Sequence, residues 1–191
     1  MSSFQLSFEK TIINEGGYSN NPADFGGETY KGIARTYHPT WSGWKRLDSY
    51  KSNKKTLAKK AEEDALLQLD VRNFYTEHFW NPLLGDDIPN QEIADELFDT
   101  AVNLGVKKAI TFLQQGLNYL SRRGKLYESL VEDGAIGKKT ITALKIYLQK
   151  DSPEYLLKIM NILQGMHYLN FIAQSPEQEI FARGWLKRVK M

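Results

Sequence analysis

The sequence predicts a mainly α-helical fold with one small β-hairpin region at residues 18–33, and three observations carry that prediction. Apolar residues recur at helical spacing through most of the chain, turn formers crowd into one stretch after residue 15, and prolines and glycines bound the periodic segments. With 191 residues, 41% hydrophobic and 25% charged, the composition is that of an ordinary globule. A chain of about 150 residues already buries roughly 70% of its unfolded surface, so this one needs no disulfide or structural metal to hold it.

Each element follows in order. Over residues 3–15, Phe4, Phe8 and Ile12 recur every fourth position and make one helical face. Glu15 continues that stripe, and Gly16-Gly17 supplies a stop. A carboxylate on the apolar face at the negative end of a helix dipole is badly placed for stability. From Tyr18 to Ile33 the chain reads YSNNPADFGGETYKGI; its Asn, Pro, Asp and Gly signal turns, and Thr29–Tyr30 a short strand. Residues 40–55 read as a loop or short helix with exposed aromatics, Trp41 and Trp44. A helix over 54–80 is ended by Asn81-Pro82. After Pro89, the residues Ile93, Leu97, Phe98, Ala101 and Val102 fit one helical face, and Gly105 punctuates. Further helices are expected near 106–122, 138–150, 153–174 and 176–190, with Pro153 and Pro176 in the first turns of the last two. No repeat, linker or low-complexity tract divides the chain. The expectation is therefore a single domain over 1–191, its cleft lying between the hairpin with the first helix and the bundle from about 91 onward.

Composition removes several functions. The absence of cysteine excludes zinc ribbons, iron–sulfur centres, disulfide scaffolds and thiol catalysis. No apolar run approaches the roughly 20 residues of a membrane span. Glu9 and Lys10 interrupt the stretch where a signal peptide would be continuously apolar. The formal charge of +2 argues against a dedicated nucleic-acid binder, while a pI near 8.6 permits attraction to an anionic polymer. His38, His78 and His167 have no mutual metal-ligand spacing, and neither H-E-x-x-H nor G-x-S-x-G occurs. Gly134-Ala-Ile-Gly137-Lys138-Lys139-Thr140 lacks the glycine spacing of a phosphate-binding loop and reads as a turn into a helix. No metal or cofactor is expected.

The strongest set for chemistry is Glu15, Asp24 and Thr29, with glycine pairs between and around them. Glycoside hydrolysis needs one carboxyl that donates a proton and a second group across the sugar that stays ionised or guides water. Glu15, beside Phe8 and Ile12, suits the first role. Asp24, in a polar Gly-rich turn, suits the second, and Thr29 would hold a water by its hydroxyl. Spacing alone leaves the ordinary readings open: an Asp in such a stretch is a turn former, and a Glu at a helix end is a solvated residue. Asp99 and Asn103 share a helix face, where they either line a sugar subsite or tie that helix to its neighbour. Tyr18, Tyr30, Trp41 and Trp44 either stack on sugar rings or pack. Lys51, Lys54, Lys55, Lys59 and Lys60 either attract an anionic surface or form a solvated face.

The string E-G-G-Y-S-N-N-P-A-D-F-G-G-E-T-Y-K-G-I, residues 15–33, resembles the signature of glycoside hydrolase family 108. These are lysozyme-like proteins of phages and bacteria, often described as secretion activator proteins. Phe98-Asp-Thr-Ala-Val-Asn-Leu-Gly105, Leu113-Gln-Gln115 and Asp133-Gly-Ala-Ile-Gly-Lys-Lys-Thr140 resemble the peptidoglycan-binding segment that accompanies the family, and Phe181–Val189 is similar to its C-terminus. Phe25 departs from the pattern, which commonly has proline between Asp and Gly-Gly. The resemblance spans nearly the whole chain. It implies a lysozyme-like fold with a catalytic segment over 1–90 and a helical peptidoglycan-binding segment over 91–191.

It also implies cleavage of the β-1,4 bond between N-acetylmuramic acid and N-acetylglucosamine. The catalytic glutamate of the E-G-G-Y motif falls on Glu15. The order Glu, Asp nine residues on and Thr five further resembles the catalytic triplet of phage-type lysozymes, which assigns Asp24 and Thr29. Tyr18, Tyr30, Asp99 and Asn103 are the expected substrate-binding residues, and peptidoglycan glycan strands the expected partner. A lytic transglycosylase and a non-catalytic wall-binding or secretion-assisting protein are the alternatives. A wall hydrolase without a signal peptide would wait in the cytoplasm for a phage holin or a specialised export system and act at the wall after release.

Overall fold

The computed structural model describes residues 2–13, 15–20, 27–52 and 54–190, with the backbone alone at 54 and 55. It is mainly helical with one small antiparallel sheet. The chain divides into two compact units: Phe8–His78, and Met1–Ser7 together with Phe79–Met191. Helix α1, Phe4–Ile12, runs through the first boundary.

The contiguous unit holds the sheet and three helices. Strands β1 (Tyr18–Asn20), β2 (Glu28–Tyr30) and β3 (Ile33–Ala34) pair in sequence order. Tyr18 stands opposite Tyr30, Ser19 opposite Thr29, and Thr29 opposite Ala34. Side chains alternate across a strand, so Tyr30 and Thr29 face opposite sides of the sheet. Tyr30 and Ile33, each 1% exposed, face the core with Leu47, Leu67 and Val71. The Tyr30 hydroxyl donates to Ala61 O (3.1 Å) and accepts from Gln68 Nε2 (2.8 Å), which satisfies it inside the unit.

Residues 43–50 form α2, and neither Trp44 within it nor Trp41 just before it is exposed as expected. Trp44 is 3% exposed, donates from Nε1 to His38 O (2.7 Å) and carries the Arg35 guanidinium 4.5 Å above its ring. The indole is a large apolar body with one polar handle, and here both are used internally.

The single helix expected over 54–80 is broken into α3 (Lys54–Glu63), α4 (Ala65–Tyr75) and a π-helical turn, Thr76–Trp80. Asp64 makes the break. Its φ of −77° and ψ of 98° leave the helix, and its carboxylate accepts from Leu66 N (3.0 Å) and Leu67 N (3.1 Å), capping α4. Three successive acids, Glu62-Glu63-Asp64, are also disfavoured at the C-terminal end of α3's dipole. Asp64 further accepts from the Tyr50 hydroxyl (2.7 Å). Asp64→Ala is expected to lower unfolding free energy by about 0.5–2 kcal/mol for the cap, measured by urea denaturation.

The second unit is built on α5 (Gln91–Leu104), buried along nearly its whole length from Ile93 to Ala101. Asn90 caps it, accepting from Ile93 N (3.0 Å). Around it lie α6 (Val106–Leu120), α7 (Lys138–Leu148), α8 (Pro153–Gln174) and α9 (Ala182–Leu186). The N-terminal residues dock here: Ser2 N donates to Ile88 O (3.2 Å), Ser3 N to Gln91 Oε1 (2.7 Å), and the Ser7 hydroxyl to Asp95 Oδ1 (2.6 Å). Phe4 meets Trp80 and Phe98 edge-on, at 5.8 Å in each case. The helix expected over 176–190 is instead a 3₁₀ turn, Pro176–Phe181, followed by α9 and a non-helical tail. Trp185 stacks on Tyr168 at 5.5 Å, and the tail is drawn off the helix path by its cations, Arg188 pairing with Asp99 at 2.8 Å.

Glu96, 2% exposed, lies in the same neighbourhood, with Lys190 Nζ at 3.9 Å and Thr100 Oγ1 at 3.4 Å. Burial pushes its carboxyl up to about 7 against the pull of Lys190, and Asp99 adds to the rise. Burial likewise raises Asp99 against Arg188 and Lys190. The folded chain therefore binds these protons more tightly than the unfolded chain. Their contribution to stability is full below the ordinary carboxyl range and falls as pH climbs through it toward about 7. Thermal unfolding is expected to show this decline between about pH 4.5 and 7 in the native chain, and a shallower one in Glu96→Gln.

Candidate active site

Glu15 does not sit on the last turn of α1, because α1 stops at Ile12. The β-branched run Thr11-Ile12-Ile13 is a poor helix C-terminus, and its last member is 80% exposed. Glu15 instead follows a turn, its backbone N–H donating to Ile12 O at 3.1 Å, and its side chain is half-buried.

What fixes that side chain is the turn between β2 and β3. Tyr30 stands opposite Ile33, so Lys31 and Gly32 form a two-residue hairpin turn, with φ of 44° and 75°. Both positive values belong to the turn type whose twist matches a hairpin. Two bonds pin the turn: Tyr75 donates from its hydroxyl to Lys31 O (2.8 Å), and Lys31 N donates to Gly17 O (3.3 Å). Lys31 Nζ reaches Glu62 and Gln68, each at 2.9 Å. The Glu15 carboxylate lies across Gly32. A Cβ at position 32 would meet Glu15 Oε2 and the Tyr75 hydroxyl at 2.8 Å each, and Glu15 Cβ at 3.4 Å. Glycine at 32 is thus required twice, for its backbone angle and for the space the carboxylate occupies.

Thr29 is in the middle strand, half-buried, on the sheet face opposite Tyr30. Asp24, and with it Phe25, lies outside the described residues. Tyr18 is partly exposed and donates to Glu28 Oε1 at 2.9 Å; burial and that carboxylate push its phenol up. Tyr30 offers no ring face to a sugar, since it is core and stacks on Trp41 at 6.5 Å. Asp99 and Asn103 belong to the other unit. Asp99 is bonded to Arg188, and Asn103 Oδ1 accepts from the Tyr168 hydroxyl at 2.6 Å.

Two residues that sequence reasoning passed over matter here. Glu28 collects the Tyr18 hydroxyl, Arg35 Nε (2.7 Å) and Lys51 Nζ (2.8 Å). Arg35 and Lys51 also hold the Asp48 carboxyl below its usual range. Lys51 is therefore engaged in an ion-pair network, and Lys59, on α3, pairs loosely with Glu63 at 3.8 Å. Tyr75 is the other. The only sequence signal for it was its place on an apolar helix face, since its partner Lys31 is 44 positions away.

A separate cavity of about 450 Å³ in this unit is lined by Trp41, Asp70, Asn73, Phe74 and His78 among others, and by neither Glu15 nor Thr29. Among the described residues no group of three His, Cys, Asp or Glu side chains is arranged to hold a metal ion. No helix among them is long and apolar enough to cross a membrane.

Residues 8–105 match the model of the family described as glycosyl hydrolase 108, and residues 108–190 match that of a predicted peptidoglycan domain. Among solved structures, Brucella abortus SagA aligns over 97% of this chain and 88% of its own, with 23% identity and a TM-score of 0.62. That likeness is one of fold, mainly helical with a small sheet. No curated protein matches the chain in sequence.

Proposed function

The chain belongs to glycosyl hydrolase family 108, and from that premise we propose that it is a muramidase, cleaving the β-1,4 bond between N-acetylmuramic acid and N-acetylglucosamine in peptidoglycan. The observation that carries the reading is the seat of Glu15. Its carboxyl is half-buried, laid over the one residue with no side chain to displace it, beside a tyrosine hydroxyl whose proton is already directed to Lys31 O. A general acid needs this kind of fixed position against the sugar oxygen it protonates.

In the proposed reaction Glu15 gives its proton to the glycosidic oxygen as the C–O bond breaks and positive charge develops on the sugar ring. Asp24 steadies that charge or takes a proton from the incoming water, which Thr29 orients through its hydroxyl. The water oxygen bonds to the anomeric carbon and the leaving sugar keeps the proton from Glu15. The assignments of Asp24 and Thr29 rest on spacing and family resemblance, and that of Thr29 also on its place in the central strand beside the Glu15 turn. Residues 108–190 support peptidoglycan as partner. The site of action is proposed to be the cell wall, reached after release through a pore or an export system.

Mass spectrometry of the products of purified peptidoglycan tests the reading. Muramic acid reducing ends are expected. Anhydro-muramic ends would make the protein a transglycosylase instead, and an undigested wall would make it a non-catalytic binder.

A further inference from the structure

The larger cavity belongs to the other unit, where nothing in the proposed hydrolysis uses it. It measures about 660 Å³ and lies between the loop after α6 and the first turns of α7. Its lining divides into three parts, which together select a ligand.

The first part is apolar and small, made by Leu130, Val131, Ala135, Ala143 and Ile146. The one aromatic ring is Tyr127, half-buried, with its hydroxyl donated to Leu117 O at 2.8 Å. A glycan site uses open aromatic faces, and this lining has methyl groups in their place.

The second part is unpaired backbone. Leu130 is tied on both sides to Asn118, its N–H donating to Oδ1 (2.8 Å) and its C=O accepting from Nδ2 (3.0 Å). The N–H and C=O groups of its neighbours Ser129 and Val131 make no hydrogen bond among the described residues. An irregular segment with open donors and acceptors is a template for an extended peptide.

The third part is cationic. Lys138 and Lys139 line the cavity and pair with no carboxylate among the described residues. They open α7, whose N-cap, Gly137, contributes no side-chain bond to the first amides. Thr140, only 4% exposed, also lines the cavity, and its hydroxyl has no partner among the described residues. That oxygen keeps contact with solvent at the cavity wall and is open to a ligand. The nearby Asp133 is an anion on the same lining, held toward the loop by its own bonds, Oδ1 accepting from Gln114 Nε2 and Ala135 N at 2.9 Å each. Glu128, on the loop side, is unpaired and suits an ammonium group.

We propose that this cavity binds the stem peptide of peptidoglycan in extended form, with its terminal carboxylate held by Lys138, Lys139 and Thr140. Stem peptides supply each complement: small alanine methyls for the aliphatic wall, backbone amides for Ser129 and Val131, a diamino residue for Glu128, and a carboxylate for α7. The inference rests on peptidoglycan being the partner, and it assigns this unit to the peptide rather than the glycan.

The test titrates the full chain, followed by amide NMR shifts, with four probes: the pentapeptide L-Ala–D-Glu–L-Lys–D-Ala–D-Ala, its C-terminal amide, tetra-N-acetylglucosamine and inorganic phosphate. The pentapeptide is expected to move the amides of residues 128–131 and 138–140. Amidation of the probe, or the double change Lys138→Glu and Lys139→Glu, should weaken binding about tenfold or more, the size of a lost charge-assisted contact. Thr140→Val, which keeps the shape, should weaken it less. An unmoved set of amides with the pentapeptide, or an equal response to the tetrasaccharide or to inorganic phosphate, would overturn the inference. Wall digestion is followed in parallel. Digestion without peptide binding removes the inference and leaves the muramidase reading; peptide binding without digestion does the reverse.

Discussion

Glu15→Gln is expected to fold as the native chain does and to lose turnover of purified peptidoglycan by a factor of about 10²–10⁴ or more, the usual contribution of a general acid. The amide keeps the size and most of the contacts of the carboxyl over Gly32, and loses only the proton it would donate. Circular dichroism and thermal unfolding should therefore be unchanged while release of reducing ends disappears. Undiminished digestion by the variant would remove Glu15 from the mechanism altogether.

Gly32→Ala is the second large effect, and it reaches activity through geometry. The new Cβ has to adopt a φ near 75° and sits 2.8 Å from both Glu15 Oε2 and the Tyr75 hydroxyl. The backbone alone costs about 1–2 kcal/mol in the left-handed region. Tyr75 is held by Lys31 O, so the Glu15 side chain is the part that yields. A displacement of about 1 Å at a catalytic group costs on the order of 10²-fold in rate. Gly124→Ala is the matched control: its φ is 78°, but the added Cβ meets nothing nearer than Tyr127 O at 4.0 Å. Both variants should lose comparable stability, measured by denaturation, and only Gly32→Ala should lose activity. Equal activity in the two would mean that Gly32 serves the turn and not the carboxylate.

Much of the fold was legible in the sequence because its signals are local. Pro89 and Asn90 announce α5, Gly105 separates it from α6, and Ser152-Pro153 opens α8. The misreadings arose where a local signal competed with a longer pattern. Asp64 was hidden inside an apolar period that runs on either side of it, so one helix was expected where its cap makes two. Trp44 was expected outside because polar residues surround it in sequence, whereas Arg35 and His38, six and more positions away, supply its partners. The site was legible as a motif and not as an arrangement. The string through Lys31-Gly32-Ile33 names Glu15 and the turn beneath it, but the contact between them crosses 17 positions. Tyr75 enters only through the folded chain. Tyr30 shows the converse, since a tyrosine in a motif has no mark of which way its strand will face it.

The division of the chain has a consequence for how it is made. The unit Phe8–His78 is continuous, whereas the other needs Met1–Ser7 and Phe79–Met191 together. Ser2, Ser3 and Ser7 find their partners at Ile88, Gln91 and Asp95. During synthesis residues 1–7 leave the ribosome before these partners, and everything up to His78 emerges in between. The unit Phe8–His78 can complete its own contacts in that interval, while Met1–Ser7 wait for α5 to be translated. Met1–Ser7 are thus made before Phe8–His78 and secured after it.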